Sequence, residues 1–454
     1  MALPEAFIAK YQDLLGNESG PFFAALEGPV DKGFRLNPLK ANQKPLSLSL
    51  EQPISWSPNG YFGQVAGKSI DHTTGLVYSQ EPSAQFVAEV LAAQPGEKVL
   101  DLAAAPGGKS TQLAGQMKGQ GLLWTNEIFF SRAKILSENI ERFGVQNAIV
   151  SSADSKDLAQ LLPDFFDRVL LDSPCSGEGM FRKDPEAITY WSEGYPRECA
   201  ERSEEILANA VAMVKPGGVL VYSTCTFAPE EDEQTIAWLL ATYPEFELLE
   251  IDKVAGSGIQ DGRPEWADGR SDLTKTARLW PQDLAGEGHF VAKLRRKDDE
   301  EETRPAIKGQ KADRFSSEES ALLQDFLKQT VPGLVVDSSR LLRFGDRVFL
   351  MPVDCPAFGR IKILRAGLCL GSFKKKRFEP DHALALAIQP DQAAQTFAID
   401  DSSDWQAYIH GEALNTKADL QKGFVLMTAG GNGVGWAKFV NGQLKNFYPK
   451  GLRH

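Results

Sequence analysis

EKVLDLAAAPGGKSTQLAGQM, residues 97–117, decides the fold. Residues 97–105 read as a short buried strand that stops at a Pro-Gly-Gly turn, and KSTQLAGQM continues as a helix. A strand that passes through a small-residue loop into a helix is the opening unit of a parallel sheet covered on both faces. The following stretches keep that rhythm. GLLWTNE (121–127) is the next strand, and SRAKILSENIERFG (131–144) has helical spacing and ends at a glycine. NAIVSSAD (147–154) and FDRVLLDSPC (166–175) are strands that run into loops. ERSEEILANAVAMV (201–214) is a helix with Ile206, Leu207, Ala210, Val211 and Val214 apolar, and KPGG turns it into the strand VLVYSTCT (219–226). The pattern predicts an α/β fold with a doubly wound, Rossmann-like core, whose ligands sit at the carboxyl ends of the strands. Each polar motif falls at such an end.

The first is DLAAAPGGKS (101–110). Ala103, Ala104, Ala105, Pro106, Gly107 and Gly108, ahead of Lys109, let a ligand approach the backbone, and the helix start offers N–H groups to a carboxylate. A phosphate-binding loop of the G-x-x-x-x-G-K-S kind needs glycine where Ala103 stands, and G-x-G-x-x-G is absent. Glu127 ends the next strand, where a carboxylate can accept from both hydroxyls of a ribose, and Asp154, one strand later, is placed for an adenine edge. Either alone is equally a capping or solvated carboxylate. In succession they suit an unphosphorylated adenosine with a charged amino-acid tail, S-adenosylmethionine, better than a nucleoside triphosphate. No metal-ligand spacing is present, and no metal is expected.

Two further motifs, DSPCSG (172–177) and STCT (223–226), each place a cysteine just beyond a strand in a polar loop. A lone free cysteine is usually a small buried hydrophobe, the reading given to Cys199 and Cys369. Two on strands facing one cleft point to chemistry. Carbon-5 of a pyrimidine is too weak a nucleophile to take a methyl group unaided; thiolate addition at carbon-6 activates it. A carboxyl beside the ring, here Asp172, can stabilise the charge that develops, and a second group must assist release. Spacing does not distinguish which cysteine attacks.

The chain has 454 residues, 42% hydrophobic, enough for two or three domains. Its formal charge of -12 excludes a protein that coats nucleic acid by bulk positive charge. The charge is unevenly distributed. Residues 1–292 hold 24 basic and 41 acidic side chains, and residues 293–454 hold 25 and 20, with ten basic against three acidic within 340–379. There Lys374, Lys375, Lys376 and Arg377 form a run suited to RNA phosphates. Five cysteines make no disulfide framework and suit a reducing cytoplasm, while MALPEAF lacks a basic, then apolar, export signal. No apolar run approaches the roughly 18 residues of a membrane span, so no membrane partner is expected. The expected organisation is an N-terminal extension (1–75), the core (76–293), a charged linker (294–320), a middle domain with the basic patch (321–390) and a small β-rich module (391–454).

DLAAAPGGKS, Glu127, Asp154, DSPCSGEGMFRKDP and YSTCTFAPEEDE, with RLNPLK (35–40) and GLVYSQEPSA (75–84) upstream, resemble the bacterial RNA 5-methylcytosine methyltransferases of the Sun and nucleolar-protein type, in the branch of the ribosomal small-subunit methyltransferase F. The resemblance is strong over about residues 30–293. It implies that Ala103 to Lys109 wrap the methionine part of S-adenosylmethionine, Glu127 its ribose and Asp154 its adenine. Asp172 then touches the cofactor edge and the target base, with Lys109 near the reacting ring. Cys225 becomes the nucleophile, and Cys175 assists release. It further implies RNA contact by the N-terminal segment, Arg35 included, a PUA-like RNA-binding module at the C-terminus, and a monomer acting on 16S ribosomal RNA, within the small subunit near the decoding region. Transfer RNA is the alternative substrate. An exocyclic amino-methyltransferase carries Asp/Asn-Pro-Pro-Tyr/Phe where this chain has Asp-Ser-Pro-Cys, a P-loop ATPase lacks its first glycine here, and a silent RNA-binding scaffold has no use for two cleft cysteines.

Overall fold

The computed structural model describes residues 3–184, 186–298 and 306–453. At the N-terminus two helices, Glu5–Leu15 and Ser19–Leu26, precede a three-stranded antiparallel sheet of β1 (Gly33–Leu36), β2 (Gly60–Phe62) and β3 (Val77–Ser79). The spacing of Phe7, Tyr11 and Leu15 turns one face of the first helix inward, onto an aromatic cluster with Phe22, Phe181, Phe227 and Trp280. β3 lies just past residue 75, so the extension's sheet takes in residues beyond the expected boundary.

The core is a doubly wound α/β sheet. Its parallel strands are β4 (Lys98–Asp101), β5 (Leu122–Asn126), β6 (Ala148–Ser152), β7 (Phe166–Asp172) and β8 (Val214–Thr224), in the spatial order β6-β5-β4-β7-β8. The order reverses between β4 and β7. The crevice outside their carboxyl ends is therefore where such a sheet takes a ligand. KPGG (215–218) lies within β8 and not ahead of it, as a bulge between the pairs Val214–Phe166 and Val219–Arg168. Beyond β8, the strands β9 (Phe246–Leu248), β10 (Gln260–Asp261), β11 (Ala277–Leu279) and β12 (His289–Arg296) pair antiparallel. β12 runs three residues into the stretch expected to be linker, because Leu294 is buried against Leu220 of β8 and Leu248 of β9. Residues 299–305 of that charged stretch lie outside the described residues.

The helices follow the apolar spacing. Helix 108–117 buries Leu113, Ala114 and Met117, and helix 130–142 buries Ala133, Leu136 and Ile140. Gly144 ends the latter with φ 73°, and a Cβ there would stand 2.4 Å from the Leu386 carbonyl oxygen. A side chain at 144 would separate the core from the C-terminal region.

That region is joined to the core by more than covalent connection. After helix Ser317–Thr330 come β13 (Leu341–Phe344), β14 (Arg347–Leu350), β15 (Lys362–Ala366), β16 (Leu368–Lys374) and β17 (Arg377–Pro380). β15 leaves the other four and pairs antiparallel with β6, becoming the edge strand of the core sheet. The final module is a five-stranded sheet built from β18 (Thr396–Ala398), β19 (Leu414–Asn415), β20 (Gly423–Ala429), β21 (Asn432–Val440) and β22 (Gln443–Asn446). Among the described residues no helix is long and apolar enough to cross a membrane.

RLNPLK is a clasp. Arg35 is 2% exposed, its Nη2 donating to the Gly108 carbonyl at 2.6 Å and to Thr111 Oγ1 at 3.0 Å. Asn37 Nδ2 donates to the carbonyls of Gly75 and Phe143, each at 2.8 Å, and Lys40 Nζ donates to the Leu386 carbonyl at 2.6 Å. One hexapeptide thus ties the extension to the core and to the C-terminal region. The expectation that Arg35 contacts RNA is corrected: its guanidinium is spent inside the protein, behind the 103–109 loop.

Candidate active site

The site begins where β4 stops. Asp101 Oδ2 accepts the Ser110 hydroxyl at 2.6 Å, and Oδ1 is buried without a hydrogen-bond partner among the described residues. Burial pushes this carboxyl up to about 7, against the Ser110 hydrogen bond. The 103–107 loop has a cis Ala105–Pro106 peptide and enters the helix at Gly107, φ 112°. A Cβ at Gly107 would stand 3.2 Å from Leu136, and one at Gly108 3.3 Å from the Gln80 amide. The small residues leave a cradle that larger ones would fill.

Asn126, at the end of β5, holds three strand ends together. Its Nδ2 donates to the Leu102 and Ala153 carbonyls at 3.2 and 3.0 Å, and its Oδ1 accepts from Ser151 Oγ at 2.7 Å and Ala153 N–H at 3.1 Å. Glu127 follows, 3% exposed in its side chain; Oε1 accepts from Phe129 N–H at 3.0 Å and Oε2 lies 3.5 Å from Arg132 Nη1. Arg132 in turn donates to the Ala105 carbonyl at 2.9 Å, so the carboxylate and the loop are braced against each other. Asp154 caps helix Ser155–Leu161, with Oδ1 accepting from Lys156 N–H at 2.8 Å. An orphaned buried oxygen on Asp101, a glycine cradle and a buried Glu127 carboxylate fit the ammonium, the methionine backbone and the ribose of an S-adenosyl ligand.

Across the switch point, Asp172 Oδ2 meets Lys109 Nζ at 2.6 Å, and Oδ1 accepts the Ser223 hydroxyl at 2.7 Å. Burial alone would raise the Asp172 carboxyl; Lys109, backed by His289 and Ser223, outweighs it and holds the group below its usual range. Burial likewise works against the Lys109 ammonium, and Asp172, with smaller contributions from Cys225 and Asp101, raises it overall. The pair is ionised on both sides. Beside it, Cys175 Sγ and Cys225 Sγ lie 3.4 Å apart. The hydrogen bond to Cys225, then burial, push the Cys175 thiol well above its usual range.

Beneath the thiols runs a buried polar network that sequence reasoning missed. Glu231 Oε2 accepts from Ser176 N–H at 2.8 Å and Oε1 from the Ser176 hydroxyl, which stands 2.8 Å from Thr226 Oγ1. Ser176 follows Cys175 and Thr226 follows Cys225, so the network sets the separation of the two loops. Burial pushes Glu231 up to about 8, against the Ser176 hydroxyl. Thr226 Oγ1 and Phe227 N–H also donate to Glu178 Oε2, which takes the Tyr11 hydroxyl as well. The first helix of the chain thereby reaches the two cysteine loops.

Four family models match. That of the 16S rRNA methyltransferase RsmB/F matches residues 88–295, the N-terminal domain of 16S rRNA methyltransferase RsmF residues 3–82, the RsmF first C-terminal domain residues 325–388, and the RsmF PUA domain residues 395–454. The ribosomal RNA small subunit methyltransferase F of Vibrio parahaemolyticus is 34% identical, over 99% of this chain and 97% of its own. The chain belongs to the RsmB/F family of 16S rRNA methyltransferases. The corresponding protein of Pectobacterium atrosepticum is 32% identical over 99% of this chain and 96% of its own. Among solved structures, a methyltransferase homologue from Pyrococcus horikoshii aligns with a TM-score of 0.57 at 28% identity, covering 64% of this chain and 95% of that one.

In this RsmB/F methyltransferase the structure brings Ala103–Lys109, Glu127, Asp154, Asp172, Cys175 and Cys225 to one edge of the sheet, as expected from the strand ends. The basic run is less free than its sequence suggests. Lys374 pairs with Asp346, and Arg377 pairs with Glu379 at 2.7 Å, so two of the four cations carry an acidic neighbour. Lys375 and Lys376 are exposed.

Proposed function

We propose that the protein methylates carbon-5 of a cytosine in 16S ribosomal RNA, using S-adenosylmethionine and a transient bond from Cys225 to the base. The observation that carries this reading is the approach of two thiols to 3.4 Å beside an ionised Lys109–Asp172 pair. When bound, S-adenosylmethionine supplies a methyl group activated by its sulfonium. Residues 103–109 hold its methionine part, Glu127 the ribose and Asp154 the adenine.

Cys225 loses its proton to water and attacks carbon-6; the sulfur lone pair forms the S–C bond, and the 5,6 π pair moves to carbon-5. Asp172, anionic, accepts from the exocyclic amine of the base, and the Lys109 ammonium lies where negative charge develops on the ring. After transfer, the carbon-5 proton passes to water, its bonding pair rebuilds the 5,6 double bond, and the C–S pair departs with Cys225. Cys175 assists this departure by donating its S–H to the leaving sulfur. The family resemblance assigns attack to Cys225 and release to Cys175, and the 3.4 Å between the two sulfurs puts the donor within reach of the leaving group.

The target has to leave its stack to enter the cleft. The substrate is the small-subunit RNA, met within the 30S particle in the cytoplasm by a monomer of this chain, with residues 76–293 as the catalytic unit. Purified protein with methyl-labelled cofactor is expected to label 16S rRNA, and bisulfite sequencing to locate a protected cytosine. Cofactor binding without any label in RNA would replace this reading by a scaffold.

RNA docking is assigned in part to the basic run, extended by the fold. Lys376 and Arg377 line a groove of about 840 Å³ between helix 317–330 and the last module, which Lys328, Lys422 and Lys438 also line, against Asp325 and Asp419. Alanine at Lys376, Arg377 and Lys422 is expected to weaken RNA binding and reduce the slope of log affinity against log salt by about 2, at roughly 0.7 for each phosphate that is no longer neutralised, with cofactor affinity unchanged. An unchanged slope rejects the assignment.

A further inference from the structure

Directly after Glu127 the chain turns apolar side chains to solvent at the carboxyl edge of the sheet. Ile128 is 55%, Phe129 61% and Phe130 40% exposed. Packing does not require them there, since helix 130–142 is seated through Ala133, Leu136 and Ile140. Neighbouring exposed aromatics beside a ligand-binding edge mark a contact surface.

Cations gather on the same spot from two distant parts of the chain. Lys134 Nζ, one helical turn on, lies 4.8 Å from the Phe130 ring centre. Lys362 Nζ lies 3.5 Å from it, delivered by β15, the strand that leaves its own domain to pair with β6. Neither ammonium has an ion pair among the described residues. Arg132, by contrast, is engaged with Glu127 and the Ala105 carbonyl. The Phe130 ring therefore organises two lysines, and the Phe129 ring beside it stands clear of any aromatic or cationic neighbour among the described residues.

We propose that Phe129 is a stacking platform for an unpaired nucleotide flanking the target cytosine, with Lys134 and Lys362 contacting the adjoining phosphates. This rests on the RNA-methylating reading above. A π face accepts any base, and lysines around it capture the backbone, which is how single-stranded RNA is held without a sequence code. Extrusion of the target leaves its neighbours without a stacking partner, and an aromatic ring at the same edge of the sheet replaces it. Unpaired cations favour a polyanion over an apolar protein face.

The test uses the full chain carrying Phe129→Ala or Phe129→Trp, with KM for RNA, kcat and cofactor affinity measured side by side on protein-free 16S rRNA and on 30S particles. Alanine is expected to raise KM for RNA about ten-fold, tryptophan to restore it, and kcat and cofactor affinity to stay near wild type. Lys134→Ala with Lys362→Ala lowers the salt slope by about 1. Unchanged KM overturns the proposal. Weakened cofactor binding at unchanged KM for RNA assigns the ring to the cofactor pocket and overturns it too, and an effect confined to 30S particles assigns the surface to a ribosomal protein. Wild-type protein that methylates neither substrate overturns the RNA-methylating reading itself, a result distinct from each of these.

Discussion

Alanine at Cys225 is expected to abolish methyl transfer, by on the order of 10⁴-fold or more, the scale on which loss of an enzyme nucleophile is felt. Alanine at Cys175 is expected to leave an RNA adduct on the protein that survives denaturation. The two outcomes follow from attack by Cys225 and release by Cys175 across one contact of 3.4 Å. With Cys225 gone, the thiol assigned to the attack is missing, and carbon-6 of the base has no partner for addition. With Cys175 gone, addition still proceeds, but the departing sulfur loses the S–H that stands 3.4 Å away, and the covalent state accumulates. Denaturing gels of both variants with labelled RNA read the result directly. An adduct in the Cys225 variant and none in the Cys175 variant would exchange the roles. Cys199→Ala serves as the control: this thiol is fully buried, pushed up to about 11 by burial, and is expected to leave transfer intact.

The elements legible in the sequence are those encoded locally. Each parallel strand of the core is a short apolar run that ends in a polar loop, so its carboxyl end, and with it Asp101, Glu127, Asp154, Asp172 and Cys225, can be placed from periodicity alone. Roles that depend on a distant partner cannot. Arg35 reads as a surface cation until Gly108 and Thr111 are found to accept its protons. Lys374 reads as free until the neighbouring hairpin presents Asp346. β15 reads as part of a separate domain, and nothing in Lys362–Ala366 announces a pairing with β6 across two hundred residues of chain. Tyr11 and Glu178, which link the first helix to the two cysteine loops, are 167 residues apart, and although Glu178 lies within DSPCSGEGMFRKDP, Tyr11 belongs to no motif. Glu231 is within reach. It lies in APEEDE, six residues after Cys225, but nothing in a run of four acidic residues announces that the last three point inward, which only their burial shows.

That acidic run carries the second large effect. Glu231, Asp232 and Glu233 are all fully buried, and the cation that faces the last two is Arg278 of β11, 2% exposed. Its Nη2 lies 2.5 Å from Glu233 Oε2 and 3.1 Å from Asp232 Oδ2, its Nε donates to Glu233 Oε1 at 2.8 Å, and its Cζ lies about 5 Å from the ring centres of both Trp266 and Trp280, which meet each other edge to face. Arg278→Met is expected to destabilise the fold by about 3–5 kcal/mol, because a methionine fills space beside the indoles but takes the counter-charge from buried Glu233 and the cationic neighbour from Asp232, whose carboxyl burial already pushes well above its usual range. For a core of this size the loss corresponds to a fall in Tm of about 10 °C. The acids pass the damage to the site. Asp232 Oδ1 accepts the Thr224 hydroxyl at 2.6 Å, and Thr224 precedes Cys225, so a reoriented Asp232 frees the backbone that aims the nucleophile. Transfer in the variant should therefore slow even at temperatures where it remains folded. Adding Glu233→Gln to Arg278→Met removes one stranded charge and should return part of the stability; urea unfolding of the two variants measures it. A loss under about 1 kcal/mol in the single variant would mean that water reaches the acids, and that packing beside Trp266 and Trp280, more than charge, keeps this corner closed.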